Sequence, residues 1–213
     1  MSHSPADQRA PRGKLFVVAA PSGAGKTSLV KALLERRPLL RLSVSHTTRT
    51  PRPNELEGRE YFFVAVDEFR KLAAGRAFLE HAQVFDNHYG TGRAPVEASL
   101  ARGDSVILEI DWQGARQVRA SLPECVTIFI LPPSRAALEK RLRARKTESD
   151  AAIARRLRDA VGDMSHWNEF DYVVVNDAFE QALGDLTRII DGQADDLAAD
   201  RPALQPLLAE LLA

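Results

Sequence analysis

The sequence predicts an α/β fold, a doubly wound parallel sheet with helices on both faces. Short apolar runs with little alternation indicate strands that are buried on both sides. Four such runs are present: Leu15–Ala20, Ser105–Ile110, Thr127–Leu131 and Tyr172–Val175. Apolar residues at helical spacing lie between or after them, in the segments Ala136–Arg143, Ala151–Trp167 and Phe179–Ile190. Because strands and helices alternate, we expect right-handed crossovers between parallel strands.

The composition agrees with one folded unit and argues against several kinds of partner. The chain has 213 residues, 45% of them hydrophobic, which is enough to bury a core. Its 29 basic and 29 acidic side chains balance, so no overall field attracts nucleic acid or an anionic membrane. Cys125 is the single cysteine, and no run approaches the ~18 apolar residues of a membrane span, so we expect a cytoplasmic protein. The sequence leaves open whether the chain forms a homo-oligomer.

Changes in composition divide the chain into segments. Residues 1–12 are rich in Ser, Pro and Arg and are expected to form a disordered leader before a domain at 13–192. Within that domain, Pro and Gly separate aromatic segments across residues 43–95, which predicts an inserted subdomain of short strands and one helix. The tail, 193–213, has leucines interrupted by two prolines and is expected to pack either on the body or on a partner.

The strongest motif is a Gly-rich turn where the first strand passes into a helix. It nearly matches the phosphate-binding loop, with Ala20 at the first glycine of the pattern: Ala20-Pro21-Ser22-Gly23-Ala24-Gly25-Lys26-Thr27. Gly23 and Gly25 allow backbone amides to converge on phosphate oxygens, and the following helix adds its N-terminal dipole. Lys26 can reach a transferred phosphate, and Thr27 can ligate magnesium. This segment, called the phosphate loop below, predicts a nucleotide site.

The residues after the Ser105–Ile110 run help to decide between two classes of phosphate-loop protein. Asp111-Trp112-Gln113-Gly114 fits the D-x-x-G switch of GTPases, but Val175-Asn176-Asp177 lacks the lysine of their guanine-reading element. We therefore interpret Asp111 as an acid at the end of a strand, where open α/β sheets bind ligands. The alternative is a helix N-cap with no role in binding.

Two arginines, Arg49 and Arg52, lie three residues apart in the Pro-restrained loop Ser45–Arg52. A planar guanidinium holds two phosphate oxygens at once, so the pair can clamp a monophosphate. With five further motifs, this loop strongly resembles the guanylate kinases over about residues 14–190. The further motifs are Glu57–Phe63, Phe78–Ala82, Tyr89–Thr91, Glu109–Gly114 and Ile130–Ser134.

The resemblance implies a P-loop kinase core with a GMP-binding subdomain at about 43–95 and a small lid at about 142–150. It implies transfer of the ATP γ-phosphoryl group to GMP with Mg²⁺, giving ADP and GDP in purine nucleotide metabolism and GMP recycling. Thr27 and Asp111 would serve the metal, directly or through water. The residues implied for ATP are Ala20, Pro21, Ser22, Gly23, Ala24, Gly25, Lys26, Thr27, Ser28 and Asn176. The residues implied for GMP are Ser45, Arg49, Arg52, Tyr61, Glu80, Tyr89, Thr91 and Asp111.

The catalytic residues implied by the resemblance are all basic. They are Lys26, Arg49, Arg141, Arg145 and Arg156. Arg141 and Arg145 are four residues apart and hence on one helical face. Two positions depart from the common pattern of the family, because Lys146 stands where Gly is frequent and Glu109 replaces an aspartate. No catalytic role is assigned to the histidines His46, His81, His88 and His166.

Three of the residues implied for GMP would contact guanine, namely Ser45, Glu80 and Thr91. A carboxylate and hydroxyls complement the donors of guanine at N1 and the 2-amino group and its acceptor at O6, whereas adenine has an acceptor at N1. From the residue pattern alone, however, Glu80 is a surface acid on an amphipathic helix.

Two other functions stay open at this point. A kinase for another nucleoside monophosphate would share the loop and lid without needing Glu80 and Thr91. A non-catalytic guanylate-kinase-like module would bind phosphorylated peptide through the same subdomain. Such modules typically have a degraded ATP loop, whereas Gly25-Lys26-Thr27 is intact.

Overall fold

The computed structural model describes residues 12–84, 86–144 and 150–213. In these ranges the strands are β1 (Leu15–Ala19), β2 (Leu40–Leu42), β3 (Ser45–Thr47), β4 (Tyr61–Phe63), β5 (Phe78–Val84), β6 (Asn87–Gly92), β7 (Ser105–Glu109), β8 (Val126–Leu131) and β9 (Tyr172–Val175). The helices are α1 (Lys26–Arg36), α2 (Val66–Ala74), α3 (Arg93–Ala101), α4 (Trp112–Ser121), α5 (Arg135–Ala144), α6 (Asp150–Met164), α7 (Phe179–Ile190) and α8 (Gln205–Leu212). Except for Arg12, the expected leader lies outside the described residues, as do lid residues 145–149.

The larger sheet has five parallel strands in the order β2-β7-β1-β8-β9. The chain leaves β1 through α1 and β8 through α5 and α6, so strands and helices alternate along the sheet. The doubly wound α/β fold predicted from the sequence is confirmed. The carboxyl ends of β1 and β7 meet at one edge, where such sheets bind their ligands.

Side chains of β1 point alternately to the two faces of the larger sheet. Phe16 and Val18 belong to an apolar cluster with Leu29 of α1 and Leu183 of α7. Val17 belongs to the opposite cluster, which α3, α4, α6 and α8 complete. Because both faces are covered, the strand has no polar side and its sequence is an unbroken apolar run.

The smaller sheet has four strands in the order β4-β3-β6-β5 and lies within residues 43–95. Strand β3 pairs parallel with β4 and antiparallel with β6, and β5 pairs antiparallel with β6. Helix α2 packs on β5 through Phe69 and Phe78, whose ring centroids are 4.7 Å apart. Short strands and one helix are what the Pro- and Gly-punctuated sequence predicted for this segment.

Several elements differ from the sequence prediction: helices α3, α4 and α8 were not predicted, and strand β2 and the end of α6 also differ. Strand β2 was missed, because only Leu40 of its three residues is buried and the strand lies at the sheet edge. The helix predicted to reach Trp167 ends at Met164, and Trp167–Glu169 form a separate 3₁₀ turn. The Ser165 hydroxyl donates to the Gly162 carbonyl at 2.7 Å, a local bond of the kind that competes with helix continuation.

The tail packs on the body of the chain. Leu204, Leu208 and Leu211 are buried in the same apolar cluster as Met164 of α6. The Arg201 side chain donates to the Val173 carbonyl of β9 and to two carbonyls of the tail itself, with a 2.9 Å bond to Val173. None of the described helices is long and apolar enough to span a membrane.

Candidate active site

A cavity of about 940 Å³ opens at the carboxyl edge of the larger sheet. Its walls come from four parts of the chain: the phosphate loop, the smaller sheet, the segment Glu109–Gln113, and the second half of α6. Residues far apart in sequence therefore share one cavity, and most of the predicted site residues line it. Those are Ala20, Pro21, Ser22, Gly23, Gly25, Lys26, Thr27, Ser28, Ser45, Tyr61, Glu80, Tyr89, Asp111 and Arg156.

The backbone of the phosphate loop requires its two central glycines. Gly23 has φ +92° and Gly25 has φ +96°, a region that L side chains rarely adopt. A Cβ at Gly25 would also overlap the Asn176 amide, which donates to the Ala24 carbonyl at 2.7 Å. No side chain caps the N-terminus of α1, so its first amides are available to an anion in the cavity.

Lys26 and Thr27 of the loop both contact the end of β7. The Lys26 ammonium donates to the Ile110 carbonyl at 2.6 Å, and the Thr27 hydroxyl donates to the Glu109 carboxylate. Burial lowers the pKa of Lys26, while the charges of Glu109 and Asp111 oppose that shift. The cation therefore lies among carboxylates at the point where donor phosphates would enter.

Asp111 has two roles at once. Its Oδ1 accepts a 2.8 Å bond from the Gly114 amide and caps α4. The same side chain lines the cavity. Asp111 is therefore the N-cap of α4, as the alternative interpretation held, and this role is compatible with its place in the cavity wall.

Glu80 is the most buried carboxylate of the site, with 3% of its surface exposed. It lies on β5, so its interpretation as a surface acid on a helix is wrong. Thr91 of β6 donates to Glu80 Oε1 at 2.5 Å, and the Ser45 hydroxyl lies 3.5 Å from that of Thr91. A Cβ at Gly114 would be 2.5 Å from Glu80 Oε2, so a larger residue at this position of α4 would displace the carboxylate.

Burial raises the pKa of Glu80 to about 7, against the hydrogen bond from Thr91 and with help from the charge of Asp111. Near neutral pH the group therefore exists in both protonation states. Ionised, it is an acceptor only, which suits the two N–H donors of a guanine edge.

The resemblance implies that Arg49, Arg52, Tyr61 and Tyr89 bind the GMP phosphate, and all of these except Arg52 lie together. Tyr61 and Tyr89 line the cavity with ring centroids 5.8 Å apart, and burial raises the pKa of Tyr61 to about 12. Arg49 lies behind them, with its guanidinium carbon 5.5 Å from the Tyr61 ring centroid. Arg52 is exposed and is not part of the cavity wall.

The expected lid arginines differ in position. Arg156 of α6 lines the cavity, and its Nη1 lies 3.4 Å from Ser22 Oγ in the phosphate loop. Arg141 of α5 lies behind the loop and donates to the Asn176 carbonyl at 2.8 Å and to the Ala24 carbonyl at 3.4 Å. Arg145 lies outside the described residues.

The family model for guanylate kinase matches residues 12–193. The guanylate kinase of Methylococcus capsulatus is 55% identical over 201 residues, which cover 94% of this chain and 98% of that one. The guanylate kinase of Nitrosococcus oceani is 56% identical over 200 residues, with the same shares of each chain covered.

The chain belongs to the guanylate kinase family. A solved structure of guanylate kinase from Anaplasma phagocytophilum agrees, with a TM-score of 0.72 and 34% identity over 93% of this chain and 94% of that one. The resemblance inferred from the sequence motifs is confirmed.

Several cavity residues of this guanylate kinase fold were missed by the sequence reasoning, among them Trp112, Asp163 and His166. The Trp112 indole stacks on the His166 ring at 3.5 Å between centroids and donates to Asp163 Oδ1 at 3.2 Å. Burial raises the pKa of Asp163 to about 6, although the bond from Trp112 opposes that shift. These contacts join the start of α4 to the end of α6. Trp112 and Asp163 are 51 positions apart, and no local pattern connects residues at that separation, so this cluster could not be recognised from the sequence.

The guanylate kinase site offers oxygen donors that suit magnesium. The Thr27 hydroxyl and the Asp111 carboxylate both face the cavity. Within the described ranges, no group of three or more His, Cys, Asp or Glu residues is placed to hold a metal. The donor set nevertheless fits Mg²⁺, which is commonly bound by one or two protein oxygens together with substrate phosphates and water.

Proposed function

We propose that this chain catalyses Mg²⁺-dependent transfer of the γ-phosphoryl group of ATP to GMP, giving ADP and GDP. One observation carries the proposal. The buried Glu80 carboxylate and Ser45 line the same cavity as the phosphate loop, and Thr91 is hydrogen-bonded to Glu80. The loop that would bind the donor phosphates and a pocket complementary to guanine therefore open onto the same cavity.

The polar groups around Glu80 match the guanine edge. Thr91 has one hydroxyl hydrogen, which it donates to Glu80, so Ser45 is the donor in the weak Ser45–Thr91 contact. The carboxylate can then accept from guanine N1–H and the 2-amino group. Adenine has no hydrogen at N1, and a carboxylate facing that nitrogen would be left without a donor.

The proposed reaction is a direct in-line transfer without a phosphoenzyme. The attacking oxygen of GMP is already ionised near neutral pH, so no general base is required. Catalysis then consists of alignment and charge neutralisation, which Lys26 would supply at the donor and Arg49 at the acceptor. Arg156 would cover the migrating group from α6, whereas Arg141 would act from behind the phosphate loop, where it bonds the Ala24 and Asn176 carbonyls.

Magnesium would be held near Thr27 and Asp111, directly or through water, where it would neutralise the charge of the donor phosphates. Glu109 adds a second carboxylate at this point, already in contact with the Thr27 hydroxyl. The longer side chain at position 109 could therefore orient Thr27 where the family frequently has aspartate.

One assay tests the proposal against its rivals. ADP release would be measured with ATP and Mg²⁺ against a panel of AMP, CMP, UMP and GMP, with the GDP formed identified directly. Preference for another monophosphate would replace the proposed substrate. Absence of turnover with all four, together with GMP binding, would favour a non-catalytic module.

Glu80→Gln should lower kcat/KM for GMP by at least roughly tenfold, since the amide presents a donor to a guanine donor, at a cost of about 1.4 kcal/mol or more. Turnover of AMP should fall much less, so the GMP-to-AMP ratio shrinks. Steady-state kinetics with both nucleotides measures this ratio. Glu68→Gln, an exposed carboxylate on α2 of the same subdomain, is the control. Equal losses for GMP and AMP would make Glu80 a structural residue.

The KM for GMP should fall as pH rises from about 6 to about 8, because deprotonation of Glu80 creates the acceptor that guanine needs. The direction follows from the raised pKa of Glu80, about 7. Titration of the GMP phosphate contributes to the same profile, so the measurement is the difference between the parent protein and Glu80→Gln. If the two profiles have the same shape, ionisation of Glu80 has no part in GMP binding.

A further inference from the structure

The guanidinium of Arg49 is paired with a carboxylate from its own loop, a residue that the implied site does not include. Arg49 Nη2 lies 2.8 Å from Glu55 Oε1 and 2.9 Å from Oε2. Arg49 Nη1 donates to the Thr50 carbonyl at 2.8 Å. Two different nitrogens are thus held by two different partners, which fixes the plane of the guanidinium.

Glu55 also holds the backbone of the second arginine of the pair. The Arg52 amide donates to Glu55 Oε2 at 2.7 Å. The Glu55 carboxylate is therefore bonded to the side chain of Arg49 and to the main chain of Arg52. Its own side chain is largely buried, with 16% exposed, as is that of Arg49, with 14% exposed.

The charge balance around this pair is favourable. The hydrogen bond from Arg49 lowers the pKa of Glu55, so the carboxylate is ionised at neutral pH. Burial disfavours the charged Arg49, but the bonds to Glu55 and Tyr89 outweigh it and raise the pKa of the guanidinium. Without such a partner, burial of the Arg49 guanidinium beside the two tyrosines would have an uncompensated desolvation cost.

We propose that Glu55 is a positioning residue for the acceptor phosphate, which holds the Arg49 guanidinium and the Arg52 backbone in the arrangement that clamps the phosphate of GMP. This inference rests on the proposed function, because it assigns the phosphate to Arg49, Arg52, Tyr61 and Tyr89. Glu55 acts through the arginines and does not itself contact the nucleotide.

If Glu55 competed with the phosphate of GMP instead of positioning Arg49, its removal would change the affinity for GMP in the opposite direction. A carboxylate that occupies the place of the phosphate would have to be displaced by GMP, and its removal would then tighten GMP binding. A positioning residue, in contrast, weakens binding when it is removed, because Arg49 loses its fixed plane and ordering it costs entropy on binding.

The test compares Glu55→Gln with Glu60→Gln in the same loop. Glu60 accepts from the Leu56 amide and from Arg59, so it matches Glu55 in bonding the loop backbone without contacting Arg49. We expect Glu55→Gln to raise the KM and the directly measured Kd for GMP about tenfold, with kcat and the KM for ATP changed less than about twofold. Glu60→Gln should leave all of these within about twofold.

Two further measurements separate positioning from general damage to the loop. Guanosine lacks the phosphate, so its inhibition constant should be the same in Glu55→Gln and in the parent protein. In an Arg49→Lys background, Glu55→Gln should add less than about twofold to the Kd for GMP, because the residue acts through the guanidinium. Thermal unfolding of each variant checks that it is folded.

Three results would overturn the inference: tighter GMP binding in Glu55→Gln, equal losses for GMP and guanosine, or full additivity with Arg49→Lys. Failure of the proposed function is a separate result. It would appear as no GDP formed by the parent protein, whatever Glu55→Gln does.

Discussion

Lys26→Ala should lower kcat for phosphoryl transfer by about 10³-fold, or about 4 kcal/mol of transition-state stabilisation. Lys26 of the phosphate loop lines the cavity, and its ammonium lies at the end of β7, 2.6 Å from the Ile110 carbonyl. Truncation removes that charge from the donor phosphates and leaves the Glu80 pocket intact. GMP binding, measured by equilibrium titration without ATP, should therefore change little.

The matched control for this variant is Lys31→Ala, which removes an exposed lysine from the same helix, α1. It should retain activity within about twofold, as surface changes usually do. Comparable turnover in Lys26→Ala and the parent protein would refute the role of Lys26. A loss of GMP affinity as large as the loss of kcat would place the defect in folding of the cavity.

Arg156→Ala should also lower kcat by about 10³-fold, the lower end of what arginines at a transferring phosphoryl group contribute. Arg156 lines the cavity from α6, and its guanidinium lies 3.4 Å from Ser22 Oγ, across the entrance to the phosphate loop. Its charge is thus placed to act on the group in transfer. The KM for GMP should stay within about twofold, because Arg156 is assigned to the group in transfer, whereas Glu80 and Arg49 are assigned to GMP.

Arg143→Ala is the control for Arg156→Ala. Arg143 is exposed on α5 and pairs with Glu139 and Asp150, and it does not line the cavity. Pre-steady-state measurement of the transfer step, together with the KM values, separates chemistry from binding. If Arg156→Ala changes only KM, the residue is a ground-state contact and has no role in covering the migrating group.

The larger sheet and the phosphate loop could be predicted because their evidence is local. Each buried strand is an apolar run covered on both faces, and each glycine of the loop is required by the backbone of its own turn. Strand β2 lacks that evidence. It has one buried residue, Leu40, and its place at the sheet edge comes from pairing with β7, more than sixty positions later.

Glu80 shows how tertiary contacts override a local pattern. The register of β5 against β6 shifts between Phe78 and Glu80, so Phe78, Leu79 and Glu80 are all buried in succession. The strand alternation that would identify this segment is lost at that irregularity. Only the family resemblance indicated a binding role for Glu80, and no residue pattern alone could have done so.

The sequence prediction of the site did not include the cluster between α4 and α6 or the pair formed by Arg49 and Glu55. The cluster of Trp112, Asp163 and His166 forms only when α4 and α6 pack, so the sequence of neither segment predicts it. Glu55 is different, because it follows Arg49 by six residues in one loop. Charge complementarity within the loop was therefore available as evidence, and the pairing could have been proposed from the sequence.

The bond from the Asn176 amide to the Ala24 carbonyl joins the phosphate loop to the end of the last strand of the larger sheet, across 152 positions of the chain. During synthesis the loop emerges from the ribosome early and β9 emerges late. The Gly25 turn is therefore without its support through most of translation. A nascent chain should be unable to bind ATP firmly until residue 176 has been added, which delays any wasteful hydrolysis until the acceptor pocket is complete.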